Sequence, residues 1–387
     1  MSMHFTETER DLAAGGVLTI DLAALRHNYT TVTQRIAPTR AAAVVKANAY
    51  GLDASRVAPA FYEAGCRDFF VAHLTEAVAL KPFLKPDAAF YILNGLQPGT
   101  EAACARENIL PVLNSLEQVA NWAATAKAVG RKLPALLQID TGMSRLGLSA
   151  EELDRLVASP SLLDGIDLKF AISHLASGDE PENPANARQL AAMKAALARL
   201  PQSPLSQPLP VAFSNSGGCF LDRSYHFDLA RPGVALYGVG PKKPQSGDHI
   251  RPVLTLSARV IQVRNVDRGA AIGYGGTYVA QGPMRIATIA VGYADGWFRA
   301  LSNKGSAYFG DTRLPIVGRV SMDSITLDAS ALPEGALKLG SLVELIGPHQ
   351  RLEDVARDCD TIPYEILTAL GDRYARIYVD SAAGNQS

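Results

Sequence analysis

The chain is poor in cysteine. It has four in 387 residues, Cys66, Cys104, Cys219 and Cys359, set far apart. None forms a Cys-x-x-Cys pair, so zinc and dithiol motifs have no support and no metal site is expected. The four read as buried or incidental free thiols of a reducing compartment. An excess of charge is also missing. Lys and Arg total 37 against 38 Asp and Glu, a net charge of −1. That balance argues against a general nucleic-acid or anionic-membrane surface, and no basic cluster restores one. No apolar run is long enough to span a membrane. The opening segment, residues 1–11, lacks a basic start followed by an apolar stretch, so it does not read as a signal peptide. The expected location is cytoplasmic.

What the chain does have is apolar material in a regular alternation, with 48% hydrophobic residues. Short apolar runs near 41–46, 68–72, 89–93, 110–113, 135–140, 168–173, 210–214 and 230–237 read as strands, with amphipathic segments between them. Ser115 and Gln118 suggest a capping box, and Gly130 a helix stop. Leu190, Met193, Leu197 and Leu200 predict a helix over 185–200 with one buried stripe, ended by Pro201. Eight alternations predict an α/β fold with a (β/α)8 TIM-type barrel; a doubly wound open sheet is the alternative. The texture changes at a linker-like stretch, Pro241 to Asp248. Closely spaced strand signals follow at 253–263, 285–292, 314–318, 324–328 and 341–346, with few helices before 351. The expected domains are a barrel over 1–242 and a mostly β domain over 243–387. The early run Val17 to Ile20 precedes the first barrel strand and is free to pair with the second domain.

The chemistry clusters where barrel strands end. Lys46 closes an apolar run and is followed by Ala47, Asn48, Ala49, Tyr50 and Gly51. Burial penalises an ammonium, and a neutral amine is what imine formation with an aldehyde needs. Arg145 follows strand five, His174 ends strand six, Asn215 and Ser216 follow strand seven, and Arg231 lies in a strand-eight segment running to Gly238. Ser216 with two glycines behind it, beside the Gly233 and Val234 amides, suggests a phosphate held near strands seven and eight. A phosphate there and a neutral lysine at strand one together suggest pyridoxal 5′-phosphate (PLP).

Lys46, Tyr50, Arg231 and Gly233 lie in motifs that resemble those of the PLP-dependent bacterial alanine racemases, and the similarity spans nearly the whole chain. The motifs are Val44 to Gly51, Asp140 to Met143, Arg231 to Gly233, Gly273 to Tyr278, Gly292 to Gly296 and Gly318 to Asp323. The resemblance implies PLP carried on Lys46, and proton transfer by Lys46 and Tyr274 on opposite faces of the substrate Cα. A phenol is a poor base at neutral pH without help; in the family a histidine and an arginine supply it, at the positions of His174 and Arg231. Arg231 matches the partner of the PLP ring nitrogen, where most PLP enzymes place a carboxylate. Tyr50, Ser216, Gly233, Val234 and Tyr364 match phosphate-binding positions. Arg145 and the Met322 amide match positions that orient the substrate carboxylate, and Tyr293 and Asp323 match the site entrance. The resemblance further implies a homodimer in which Tyr274, Tyr293, Met322 and Asp323 complete the partner's site, and D-alanine supplied to peptidoglycan or made during alanine catabolism. Two departures stand out. Gln138 occupies a position where many relatives carry a modified, anionic lysine, so either an anion such as chloride replaces it or Arg145 is held more loosely. Ala212 replaces a histidine. The rival readings are a broader amino-acid racemase, a decarboxylase of similar architecture (disfavoured by Arg231 and Tyr274) and a single-barrel PLP carrier.

Overall fold

The computed structural model describes residues 6–200, 208–241, 244 and 246–380. Lys242, Lys243 and Gln245 of the expected linker, and Pro201, lie outside them, as do residues 1–5 of the opening segment. The chain divides into two compact units, residues 24–251 and residues 1–23 with 252–387.

The first unit is a closed parallel barrel. Its strands are Arg40–Ala41 with Ala43–Val44, then Asp68–Val71, Ala89–Ile92, Leu110–Leu113, Leu133–Gln138, Ile166–Ile172, Val211–Ala212 and Leu229–Ala230. Every neighbouring pair is parallel. Nine strand segments form the sheet, but the first two are halves of one strand broken at Ala42. The Ala42 and Val44 amides donate to Ala230 and Pro232, and the Val45 amide donates to Phe70. The strand therefore bonds the last strand on one side and the second on the other, which closes the ring and excludes the open sheet. The strands are buried almost end to end, as parallel strands covered on both faces must be.

Helices follow most of these strands. Leu116–Val129 starts at Ser115, whose side chain accepts from the Gln118 amide, and stops at Gly130 in the left-handed conformation. Pro184–Arg199 buries Asn186, Gln189, Met193 and Ala196. Leu190 and Leu197 are only half-buried, so the stripe is turned from the expected one and carries two amides. The eighth strand is shorter than expected. It ends at Ala230, and Val234–Tyr237 is a turn of 3-10 helix, because Gly233 breaks the extended backbone.

The second unit is mostly sheet. Gly16–Asp21 lies between Leu254–Val266, antiparallel to it, and Ala375–Val379, parallel to it. Its alternating burial places Leu18 and Ile20 in the core. Leu342–Ile346, Ser306–Phe309 and Thr312–Pro315 extend one edge; Met284–Ile289 pairs with the far half of the long strand, with a bulge between Val260 and Gln262, and Ile325–Asp328 pairs with Met284–Ile289. A small hairpin, Ala271–Ile272 with Tyr278–Val279, stands apart. Its short α-helices among the described residues are Glu7–Ala13, Leu352–Asp358 and Pro363–Ala369.

Candidate active site

At the C-terminal end of the barrel, Lys46 follows the first strand and opens an unusual turn. Ala47, Asn48, Ala49 and Tyr50 all have φ of 53–55°, and Gly51 has φ 81°. Four consecutive non-glycine residues in the left-handed region cost about 1–2 kcal/mol each, least for Asn. The surrounding bonds offset that cost. The Ala49 amide donates to Val45 O and the Gly51 amide to Ala47 O, both at 2.9 Å, and the Ala54 amide donates to Asn48 Oδ1 at 2.8 Å. Glu76 Oε1 accepts the Ala47 amide at 2.7 Å, and its Oε2 accepts those of Ala72 and His73. Burial first, then the charge of Arg145, push the Lys46 amine below its ordinary value; Glu76 opposes them, and Arg231 adds the smallest push in the same direction. A cleft of about 410 Å³ opens beside the turn, lined by Val45, Asn48, Glu76, Leu80 and Phe83 among others.

Arg231 stands one residue past strand eight and is 3% exposed. Its guanidinium donates to the carbonyls of Ala212, Ser173 and Phe213 and approaches His174 Nδ1 at 3.4 Å. Burial lowers it to about 9, so it remains a cation at neutral pH. His174 Nε2 faces the Asn215 amide nitrogen at 3.3 Å. A neutral ring accepts at one nitrogen only, so at most one of these contacts is a hydrogen bond to it, and an imidazolium would meet a donor at each nitrogen and find no acceptor. Burial first, then the charges of Arg231, Arg145 and Lys46, push this histidine down to about 3.

Asn215 is held by its own bonds, donating to Leu175 O and accepting the Gly218 amide at 3.0 Å. The Gly218 amide is therefore engaged, not presented as the sequence pattern suggests. Ser216 Oγ accepts the Gly233 amide at 2.8 Å and the Ala235 amide at 3.2 Å. With its lone pairs engaged, the hydroxyl proton is left to donate. Gly233 is required by a close approach, since a Cβ there would lie 2.2 Å from Tyr50 Oη. The Tyr50 ring packs on Tyr237 with centroids 4.4 Å apart, and Val234 is buried next to it. Arg145 is exposed on the loop after strand five. Gln138 donates its amide to Leu146 O at 3.2 Å, so its side chain grips the backbone of that loop beside Arg145.

Two positions escaped the sequence reading. Glu76 follows a histidine N-cap, a weak sequence signal for a cap. Gln189 is 2% exposed and joins three groups: it donates to His174 O and Thr141 Oγ1 and accepts the Ala176 amide. An amide on an otherwise buried helix stripe was the available clue.

The remaining candidates lie in the second unit. Tyr274 sits in the hairpin turn between Gly273 and Gly275, both with positive φ, and is 71% exposed. Tyr293, Met322 and Tyr364 are also exposed. Their loops interlock. The Tyr293 amide donates to Ser321 O and the Ala294 amide to Met322 O, both at 3.0 Å. Arg373 clasps the buried Asp295 at 2.6 and 2.8 Å and reaches Asp323 at 2.7 Å. Tyr364 begins the helix Pro363–Ala369, whose last turn touches Gly296.

This donor set fits PLP: an amine biased toward its neutral form, a buried guanidinium bonded to carbonyls, and a serine hydroxyl with a free proton beside a glycine cradle. Among the described residues no cluster of three His, Cys, Asp or Glu could hold a metal, and no helix is long and apolar enough to cross a membrane. The four cysteines are buried and unpaired by disulfides, with thiols pushed up by burial to about 12 for Cys66, Cys104 and Cys219 and to about 11 for Cys359.

Comparison with known proteins adds the following. The model of the alanine racemase N-terminal domain matches residues 20–241, and that of the alanine racemase C-terminal domain matches residues 253–378. An alanine racemase of Brucella canis is 75% identical, covering 100% of this chain and 99% of its own length. A protein of Agrobacterium fabrum named as a catabolic alanine racemase is 54% identical, over 98% and 96%. Among solved structures, the alanine racemase of Bartonella henselae with covalently bound pyridoxal phosphate has a TM-score of 0.90 at 47% identity, covering 95% of this chain and 100% of that one. The biosynthetic alanine racemase of Pseudomonas aeruginosa has a TM-score of 0.85 at 33% identity, over 95% and 99%.

Proposed function

The chain belongs to the alanine racemase family, and from that premise we propose that it interconverts L- and D-alanine with PLP held covalently by Lys46. The observation that carries the reading is the place of Lys46, directly after the first barrel strand, where burial above all lowers its amine from the ordinary value. Bound PLP withdraws electrons from the amino acid and makes its Cα–H acidic. The protein's own groups do the rest. Lys46 takes or returns the Cα proton on one face and the Tyr274 phenol does so on the other, the design an inversion requires. Arg231 donates to the cofactor's ring nitrogen without surrendering a proton, which limits how far charge spreads and favours quick reprotonation. The Ser216 hydroxyl, the Val234 amide, Tyr50 and Tyr364 hold the phosphate, and Gly233, its own amide given to Ser216 Oγ, leaves the cradle open by lacking a side chain. Arg145 and the Met322 amide orient the substrate carboxylate. His174, braced by Asn215, supports Arg231 and the phenol, while Tyr293 and Asp323 line the approach.

Two copies form the working unit, with the second unit of one supplying Tyr274, Tyr293, Met322 and Asp323 to the other. The exposure of Tyr274, Tyr293 and Met322 supports this, with the Tyr293 and Met322 loops bonded side by side, since adjoining apolar groups left in water mark contact surfaces. The enzyme works in the cytoplasm, and its product supplies D-alanine to peptidoglycan. A catabolic role is the second reading, favoured by the names of relatives at 54% identity. The test follows Cα hydrogen exchange in heavy water from each alanine enantiomer. Wild-type protein exchanges and racemises both. Lys46→Ala and Tyr274→Phe each abolish racemisation and lose exchange preferentially from opposite enantiomers. Failure of PLP-loaded wild-type protein to racemise alanine refutes the proposal, and comparable turnover of serine replaces it with a broader racemase.

A further inference from the structure

We infer that Glu76 is a positioning residue for Lys46, clamping the left-handed turn behind it so that the amine is presented at one fixed place and angle. The inference rests on the reading of Lys46 as the cofactor's carrier. Three observations support it.

The first is what the carboxylate bonds. Oε1 takes the Ala47 amide, the residue directly after Lys46, at 2.7 Å. Oε2 takes Ala72 at 2.7 Å and His73 at 3.0 Å, the residues that follow the second strand. One side chain thus staples the end of strand one to the end of strand two. Bonds from amides to an ionised acceptor are roughly twice as strong as neutral ones.

The second is the backbone it holds. Residues 47–50 are all left-handed, and only Asn48 among them is a residue that adopts this conformation readily. Such a turn persists only where its surroundings over-determine it. The Asn48 side chain ties the far end of the turn to Ala54, and Glu76 ties the near end. A turn released at the near end is free to relax, and the relaxation moves the residue next to the reacting amine.

The third is isosteric chemistry. Both carboxylate oxygens accept, and every partner is a donor. Glutamine in the same place would turn its NH2 toward at least one N–H, so no orientation of the amide preserves all three bonds. Aspartate, shorter by one methylene, does not reach both loops.

The test compares wild type, Glu76→Gln, and Glu76→Gln combined with Ala49→Gly, which removes the left-handed penalty at one position. Visible circular dichroism of the PLP-loaded proteins reports cofactor orientation independently of turnover. Glu76→Gln is expected to change that signal at least about twofold and to lower kcat about 10- to 100-fold, as small misplacements of reacting groups do. KM should stay within about threefold, because substrate contacts are not removed. The added glycine should restore part of both signals. A folded Glu76→Gln protein with wild-type dichroism and kcat overturns the inference, as does a double variant no better than the single one. If Glu76→Gln does not fold, the double variant is compared directly with wild type: a changed dichroism with a lowered kcat supports the inference, and wild-type values for both overturn it. If neither folds, amide exchange in the wild-type holoenzyme decides. Slow exchange at Ala47 matching that at Ala72 and His73 supports the clamp, and fast exchange at Ala47 removes it. Absence of any cofactor signal in wild type would instead sink the reading of Lys46 itself.

Discussion

Arg231 and His174 show how burial and donor arrangement set charge at this site. The guanidinium keeps its charge while bonding carbonyl oxygens, and the buried imidazole beside it has no acceptor near either nitrogen for a second proton. The sign of the pH effect follows. The histidine's folded value, about 3, lies below its ordinary 6.5, so below 6.5 the unfolded chain takes up a proton that the folded one refuses. Stability is fully present above that pH and is lost as pH falls toward 3. Between pH 7 and pH 5 the wild type is expected to lose about 2 kcal/mol more than His174→Gln, read from urea unfolding at the two pH values. Equal losses would show that the ring accepts its proton in the fold. Arg231→Glu is expected to place a carboxylate where a donor now sits and so raise transamination relative to racemisation. The ratio of keto acid to racemised alanine measures it, and an unchanged ratio would exclude a role for Arg231 in limiting charge spread.

At the scale of elements, the loops behind strands one, seven and eight lock together through close approaches. Tyr50 lies against Gly233, and Ser216 gathers the amides at the start of the 3-10 turn. Gly233→Ala is therefore expected to push Tyr50 aside, at a cost of about 1–3 kcal/mol, the usual range for overpacking. Its thermal midpoint should fall and its PLP affinity weaken in equilibrium dialysis; wild-type values for both would show that the cradle is not tight. Gly217 makes the same point with backbone, since a Cβ there would lie 2.3 Å from the Gly178 carbonyl carbon. The motif residues were legible because they are polar interruptions just after apolar runs. The conformation of the Lys46 turn was not, because Ala, Asn, Ala and Tyr carry no strong left-handed preference as a set. Glu76 and Gln189 were hidden for a related reason: each reads locally as an ordinary helix residue, and only the loops brought against them give their polar atoms work.

For the whole molecule, the prediction concerns assembly. If the second unit completes a partner's site, Lys46→Ala and Tyr274→Ala chains should complement each other. Refolded together at equal amounts, half the dimers would be mixed with one intact site of two, giving about a quarter of wild-type activity. Two inactive preparations that stay inactive after co-refolding would exclude shared sites. The exposure of Tyr274 and Met322, 71% and 51%, is the physical ground for expecting otherwise.

The sequence by itself determined the alternation of strands and helices, the mixed α and β architecture, the ordered motifs and the polar residues at strand ends. Each is set by local periodicity or by neighbours along the chain. Closure of the barrel through residues 40–45, the pairing of Gly16–Asp21 with strands more than 230 residues away, the left-handed turn after Lys46 and the protonation of His174 were decided only in the tertiary structure. These depend on hydrogen bonds and burial supplied by distant segments, and a one-dimensional pattern carries no record of which segments those are.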